Sequence, residues 1–192
     1  MSIMTCTGAT LTASPSPPDL APGIGMLTDL ESRYVLENDP ASIRTLIGRL
    51  RDDLGKLNLL ERSWFRLSVA LEEAMLNGIY HGNLEVGSAS RSSAGEFERL
   101  VAKRRQQSPY RERRLHVYTR LSPTGAVFVV RDEGPGFNCH ALPDPTDPAN
   151  LEKFGGRGLL LIRTFMDEVI YNDSGNQITM IKLNDERGTH PS

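Results

Sequence analysis

Residues 59–83 read LLERSWFRLSVALEEAMLNGIYHGN, and their spacing decides the fold. Leu60, Trp64, Leu67, Leu71, Ala74, Met75 and Ile79 recur at helical intervals. That stripe predicts a helix over 60–83 laid against a sheet. Glu73 and Asn77 are four residues apart, so they share a face beside the stripe. Glu72 points about 100° away, towards solvent. A carboxylate can take a proton or orient a nucleophile, and an amide oxygen can ligate a hard cation such as Mg²⁺. Taken alone, the pair also fits two solvated residues on a helix edge.

Two later stretches narrow that choice. Asp132-Glu133-Gly134-Pro135-Gly136-Phe137 directly follows an apolar run, and Gly155-Gly156-Arg157-Gly158 directly precedes another. A carboxylate at Asp132, ending a strand, can accept a hydrogen bond from an exocyclic amine, which favours adenine over guanine. Gly134 and Gly136 carry no side chains, so a flat base can approach the backbone. A plain D-x-G turn is the competing reading. Glycines 155, 156 and 158 at a helix start leave N–H groups for phosphate oxygens, and Arg157 and Lys153 can add charge. The alternative for these two basic residues is a solvated loop. No Walker phosphate loop, Rossmann fingerprint, Ser-His-Asp set or zinc-spaced Cys/His set is present in the sequence.

Length and composition bound the rest. A chain of 192 residues makes one domain with appendages. A net charge of −2 gives no bulk attraction to nucleic acid or acidic membranes. Cys6 and Cys139 fall in a tail and a loop, which argues against a disulfide framework. No apolar run has membrane-span length, and no secretory leader pattern opens the chain, so a cytoplasmic location is expected.

Residues 1–25, rich in Ser, Thr, Pro, Gly and Ala, read as a disordered tail before a domain at 26–184. A strand is expected over 27–37. Asp39 and Pro40 mark a helix start with Ile43, Leu46, Ile47, Leu50 and Leu54 inward, and Gly55 as its stop. His81 reads as a helix-end packing residue or a ligand contact. Residues 84–114 read as an insert: a flexible link, then a helix over 94–107 carrying Phe97, Leu100 and Val101, then a basic run through Arg114. That run fits a solvated surface, or a hold on phosphate, RNA or an acidic partner. Residues 115–121 and 126–130 predict a hairpin, and 168–171 with 177–183 a second one. Prolines 143, 145 and 148 make 138–157 a loop with the length of a lid. Residues 185–192 read as a frayed end. The order of elements predicts an α+β two-layer sandwich, a mostly antiparallel mixed sheet with helices on one face.

The helix with Glu73 and Asn77, the D-x-G-x-G turn and the glycine-rich helix start, in this order, resemble the N, G1 and G2 boxes of the GHKL (histidine-kinase-like) ATPase superfamily. The wording ALEEAMLNGIYHGN is closest to the anti-sigma-factor serine/threonine kinase branch. The resemblance implies the Bergerat-type ATP-binding fold, ATP and Mg²⁺ as cofactors, and an ATP lid over 138–157. It implies Glu73 as general base, Asn77 as Mg²⁺ ligand, and Asp132 on the adenine amine. It also implies Thr179 near adenine, Gly156 and Gly158 on phosphate, and Arg157 on the terminal phosphate. It further implies a STAS-type antagonist as protein substrate and a sigma factor as a second partner, while the oligomeric state, a homodimer or otherwise, stays open. A nucleotide-gated binding protein with little turnover, and an ATPase module of a two-component system, are the alternatives. The insert departs from that branch, whose connection at this point is short.

Overall fold

A computed structural model describes residues 2–3, 29–56, 63–87, 95–138 and 156–184. Residues 139–155 of the loop expected as a lid over 138–157, with Lys153 and Gly155 among them, lie outside these, as do Leu60, both cysteines, most of the leading segment and the last eight residues.

Six strands, four α-helices and one π-helical turn are present among the described residues. Strand β1 (Ser2–Ile3) pairs in parallel with β2 (Leu30–Leu36) at the sheet edge. Helices α1 (Pro40–Lys56) and α2 (Trp64–Asn77) follow, and α2 continues as a π-helical turn, Gly78–Asn83. Then come α3 (Glu96–Arg104), the hairpin β3 (Leu115–Ser122) and β4 (Gly125–Arg131), α4 (Gly156–Phe165), and the hairpin β5 (Glu168–Tyr171) and β6 (Gln177–Leu183). The sheet order is β1-β2-β3-β4-β6-β5, antiparallel at every pairing after the first. The architecture is the α+β sandwich that the element order predicts.

Alternation sets the sheet's two faces. Leu115, Val117, Thr119 and Leu121 of β3 are buried, as are Ala126, Phe128 and Val130 of β4. Register joins them into rows across the sheet: Val117, Val130 and Ile178, and one step along, Thr119, Phe128 and Met180. The inward stripe of α1 (Ile43, Leu46, Leu50, Leu54) and that of α2 (Leu67, Leu71, Ala74, Met75) pack on that face, with Ile162 and Met166 from the α4 side. Burying a Leu or Phe fully is worth about 2–3 kcal/mol each, so these rows hold the layers together.

Element boundaries differ modestly from the sequence expectations. Strand β2 ends at Leu36, one residue before the expected end, and residues 27–28 of the expected strand lie outside the described residues. The N-terminus of α1 is capped as expected: Ala41 N–H donates to Asp39 Oδ1 at 3.2 Å. That helix runs through Gly55 to Lys56. Helix α3 is confined to Glu96–Arg104, and Phe97, Leu100 and Val101 pack against the edge of the core. Phe97 meets the Tyr80 ring edge-on at 5.1 Å. The larger departure is the π turn, where an uninterrupted α-helix to Asn83 was expected. Leu84 N–H reaches back to Ile79 O at 2.8 Å, and Val86 N–H to Tyr80 O at 2.7 Å. No helix among the described residues is long and apolar enough to cross a membrane.

Candidate functional site

Strand β4 ends at Arg131, and the next residue is delivered to the mouth of the core. Asp132 is 8 % exposed. Its N–H donates to Asn176 O at 3.0 Å, and its Oδ1 accepts the Gly134 N–H at 2.8 Å. Burial pushes the Asp132 carboxyl up to about 6, opposed by the Gly134 N–H. The π turn covers this carboxylate from the other side. A Cβ built on Gly82 would overlap the carboxylate carbon and both of its oxygens. Only glycine lets the turn close there.

A cavity of about 250 Å³ opens beside Asp132. Its apolar wall comes from Ala74, Val130, Leu159, Ile162 and Ile178. Its polar groups are Asn77, His81, Asp132, Asn176 and Gln177. Gly136 and Phe137 line it from the D-x-G-x-G turn, facing Tyr171 and Gly175 of the β5–β6 hairpin. The Phe137 and Tyr171 rings meet edge-on at 5.8 Å. An apolar slot with a few convergent polar groups suits a flat heterocycle.

The turn and the hairpin interlock. Gly136 has φ +73 and Gly175 φ +70, and a Cβ on either would enter a facing carbonyl, Ser174 O or Phe137 O. Asn172 Oδ1 accepts the N–H groups of Asn176 and Gln177, both at 3.1 Å, which shapes the hairpin tip.

Glu73 and Asn77 share the predicted face of α2, and both are half-buried. The start of α4 crosses this face. A Cβ on Gly158 would lie 2.5 Å from Glu73 Oε2 and 3.5 Å from Asn77 Nδ2. Asn77 lines the cavity, while Glu73 sits alongside it, against α4. The structure therefore brings Glu73, Asn77, Asp132, Gly136 and Gly158 to one region, with Gly134 packed on the Gly82 carbonyl at its edge. Gly156 opens α4 as expected. The Arg157 side chain, Gly155 and Lys153 lie outside the described residues.

Thr179 is placed differently. It is buried at 7 %, but Ile178 and Met180 on either side of it face the core. Alternation turns Thr179 to the other side of the sheet, between Val129 and Ile170 in register. The β6 residues lining the cavity are Gln177 and Ile178.

Other contributors join these, and most of them carried little signal in the sequence. His81 packs the helix end, with its Nδ1 2.6 Å from Val86 O, and it also lines the cavity. Gly82 and Gly78, four residues apart, leave the room that a Cβ would take from the Asp132 carboxylate and from Leu115, and a glycine pair at helical spacing was the available signal. Asn176 and Gln177 lie in a hairpin tip and carried no signal.

The basic insert is anchored inward. Arg104 donates to the carbonyls of Leu84 and Glu85, and Arg113 pairs with Glu85 at 2.7 Å. Both guanidinium groups stack on Tyr110, at 4.8 and 5.2 Å. Arg99, Lys103, Arg105 and Arg111 remain exposed.

Among the described residues, no group of three or more His, Cys, Asp or Glu could hold a metal ion. A Mg²⁺ held mainly by phosphates and water needs few protein ligands, and the Asn77 side-chain oxygen in the cavity lining would be the one to hold it.

Residues 36–182 match the family model described as the histidine kinase-like ATPase domain. No curated protein matches the chain.

Proposed function

This chain belongs to the histidine kinase-like ATPase domain family, and on that premise we propose that it is an ATP-dependent serine/threonine protein kinase of the anti-sigma-factor type. The observation that carries the proposal is the position of Asp132. Its carboxylate is buried beside an apolar slot that Asn77 also lines, and Gly158 brings the start of α4 against Glu73 and Asn77.

In this reading the adenine amine donates to Asp132, while Gly134 and Gly136 let the ring reach the backbone. The phosphates extend towards the start of α4, where free N–H groups and the positive end of the helix favour anions. Asn77 supplies an oxygen to Mg²⁺, which neutralises phosphate charge when bound. Glu73 accepts the proton of a protein hydroxyl as it attacks the terminal phosphorus, whose bond to the β-phosphate oxygen breaks and releases ADP. The same carboxylate orients the hydroxyl for its attack. The protein substrate is a STAS-type antagonist, and a sigma factor is the second partner, in a partner-switching pathway.

Calorimetric titration with ATP, with and without Mg²⁺, tests the site. Saturable Mg²⁺-dependent binding is the expected result, and absence of binding overturns it. Incubation with candidate acceptors then tests the activity. Acid-stable phosphoprotein supports serine or threonine transfer, and acid-labile label supports a two-component ATPase module instead. The anchored insert favours one further reading, a nucleotide-gated binder with little turnover. A Glu73→Ala variant that still switches its partner would support that one.

A further inference from the structure

Asn83 closes the π turn and is fully buried, yet it does not line the cavity. Its Oδ1 accepts the Glu133 N–H at 2.8 Å, one residue past Asp132. Its Nδ2 donates to Asn38 Oδ1 at 2.8 Å. Asn38, 6 % exposed at the entrance to α1, donates from Nδ2 to the carbonyls of Tyr110 at 2.9 Å and Arg113 at 3.2 Å.

The chemistry of the two ends fixes every orientation between them. Carbonyl oxygens only accept, so the Asn38 NH₂ must face the insert and its oxygen must face Asn83. The Asn83 NH₂ must then face Asn38, which leaves its oxygen for the Glu133 N–H, a group that only donates. Neither amide can flip without setting donor against donor. Arg113 closes the arrangement by donating to the Asn83 carbonyl at 2.8 Å. The Tyr110–Arg113 segment is thus tied to the residue after Asp132 through two buried amides and no solvent.

We propose that Asn83 is a specificity-determining positioning residue: with Asn38 it carries the position of the insert's Tyr110–Arg113 segment to the Glu133 N–H, and so sets where the Asp132 carboxylate meets the base. This rests on the nucleotide reading above. It assigns the insert a role in choosing adenine over guanine, although no residue of the insert lines the cavity. Asp132 is held on its other side by the β5–β6 hairpin, through Asn176, so the relay adjusts the carboxylate between two fixed supports.

The test uses the full chain with Asn83→Ala and Asn38→Ala. Three quantities are read: the ATP-to-GTP affinity ratio, amide exchange at Glu133 without nucleotide, and melting temperature without nucleotide. Both variants are expected to lower the ratio about tenfold, in line with loss of one buried hydrogen bond. Exchange at Glu133 should accelerate while Leu71 in α2 stays protected. A purely structural role would lower the melting temperature and weaken both nucleotides equally, leaving the ratio unchanged, and that result overturns the inference. If Asn83→Ala does not fold, Asn38→Ala decides, since it leaves the Asn83–Glu133 bond in place. Failure of the wild type to bind ATP removes the nucleotide reading and this inference together. Wild-type binding with an unchanged ratio in the variants removes this inference alone.

Discussion

Gly158 faces Glu73 across the α2–α4 contact with no room for a methyl group: a Cβ there would lie 2.5 Å from Glu73 Oε2. The two residues are far apart in sequence, and the missing side chain of one fixes the position of the other's carboxylate. Gly158→Ala must push Glu73 aside or lift the start of α4. In a site where an ångström of misplacement costs about a hundredfold, phosphoryl transfer should fall by roughly that factor. ATP affinity should change by less than about tenfold, because the base end of the slot is untouched. Single-turnover kinetics beside a binding titration separate the two quantities.

Asp132→Asn should weaken ATP by about a hundredfold, since an amide can turn its NH₂ towards the adenine amine and leave two donors facing. The same change should stabilise the nucleotide-free protein. The Asp132 carboxyl titrates at about 6 in the fold, above its ordinary 3.8, because burial penalises its charge. Its stabilising contribution is therefore complete below 3.8 and lost as pH rises through about 6. Relative to Asp132→Asn, the wild type should lose roughly 2 kcal/mol of unfolding free energy between pH 4 and pH 7. Denaturant titrations at the two pH values check it, and parallel curves would contradict the assigned burial.

Asn77→Ala should remove the Mg²⁺ dependence of ATP binding while leaving a weaker, metal-independent affinity, because Asp132 and the slot remain. Titrations at several Mg²⁺ concentrations should collapse onto one curve for the variant. Retained Mg²⁺ dependence would show that another oxygen holds the ion.

Gly136→Ala should be poorly tolerated for a different reason. Its φ of +73 is one that side chains disfavour, and the added carbon would meet the Ser174 carbonyl. The turn and the β5–β6 tip would have to part, at a cost of about 2 kcal/mol or more in thermal unfolding, before any ligand is added.

Much of the framework was legible because burial leaves a periodic trace. The α1 stripe, the alternation of β3 and the two hairpins are repeated statements, each residue repeating its neighbour's. Asp132 and the Glu73–Asn77 pair stood out because they interrupt such patterns with polar groups. Gly78 and Gly82 did not, because glycines within a helical stretch read as weak points, and their use depends on Leu115 and a carboxylate far later in the chain. The Asn38–Asn83 relay was out of reach for the same reason: its partners at both ends are backbone groups, which every sequence has. Thr179 shows the limit of a motif without its strand, since one step of alternation puts it on the opposite face from Ile178.

The π turn makes chain length itself part of the site. Between Gly78 and Asn83 the backbone carries one residue per turn more than an α-helix would, and Leu84 reaches back five positions to close it. Removing a single residue here would let α2 relax into the shape its sequence locally prefers, a repair from the standpoint of the helix alone. It would also change where each position inside the turn points, because the wider π spacing sets those directions. His81 would swing from the slot, Gly82 from the carboxylate and Asn83 from Glu133. The deletion that most improves the helix is therefore the one that dismantles the pocket, and the surplus residue persists as a geometric necessity with no chemistry of its own.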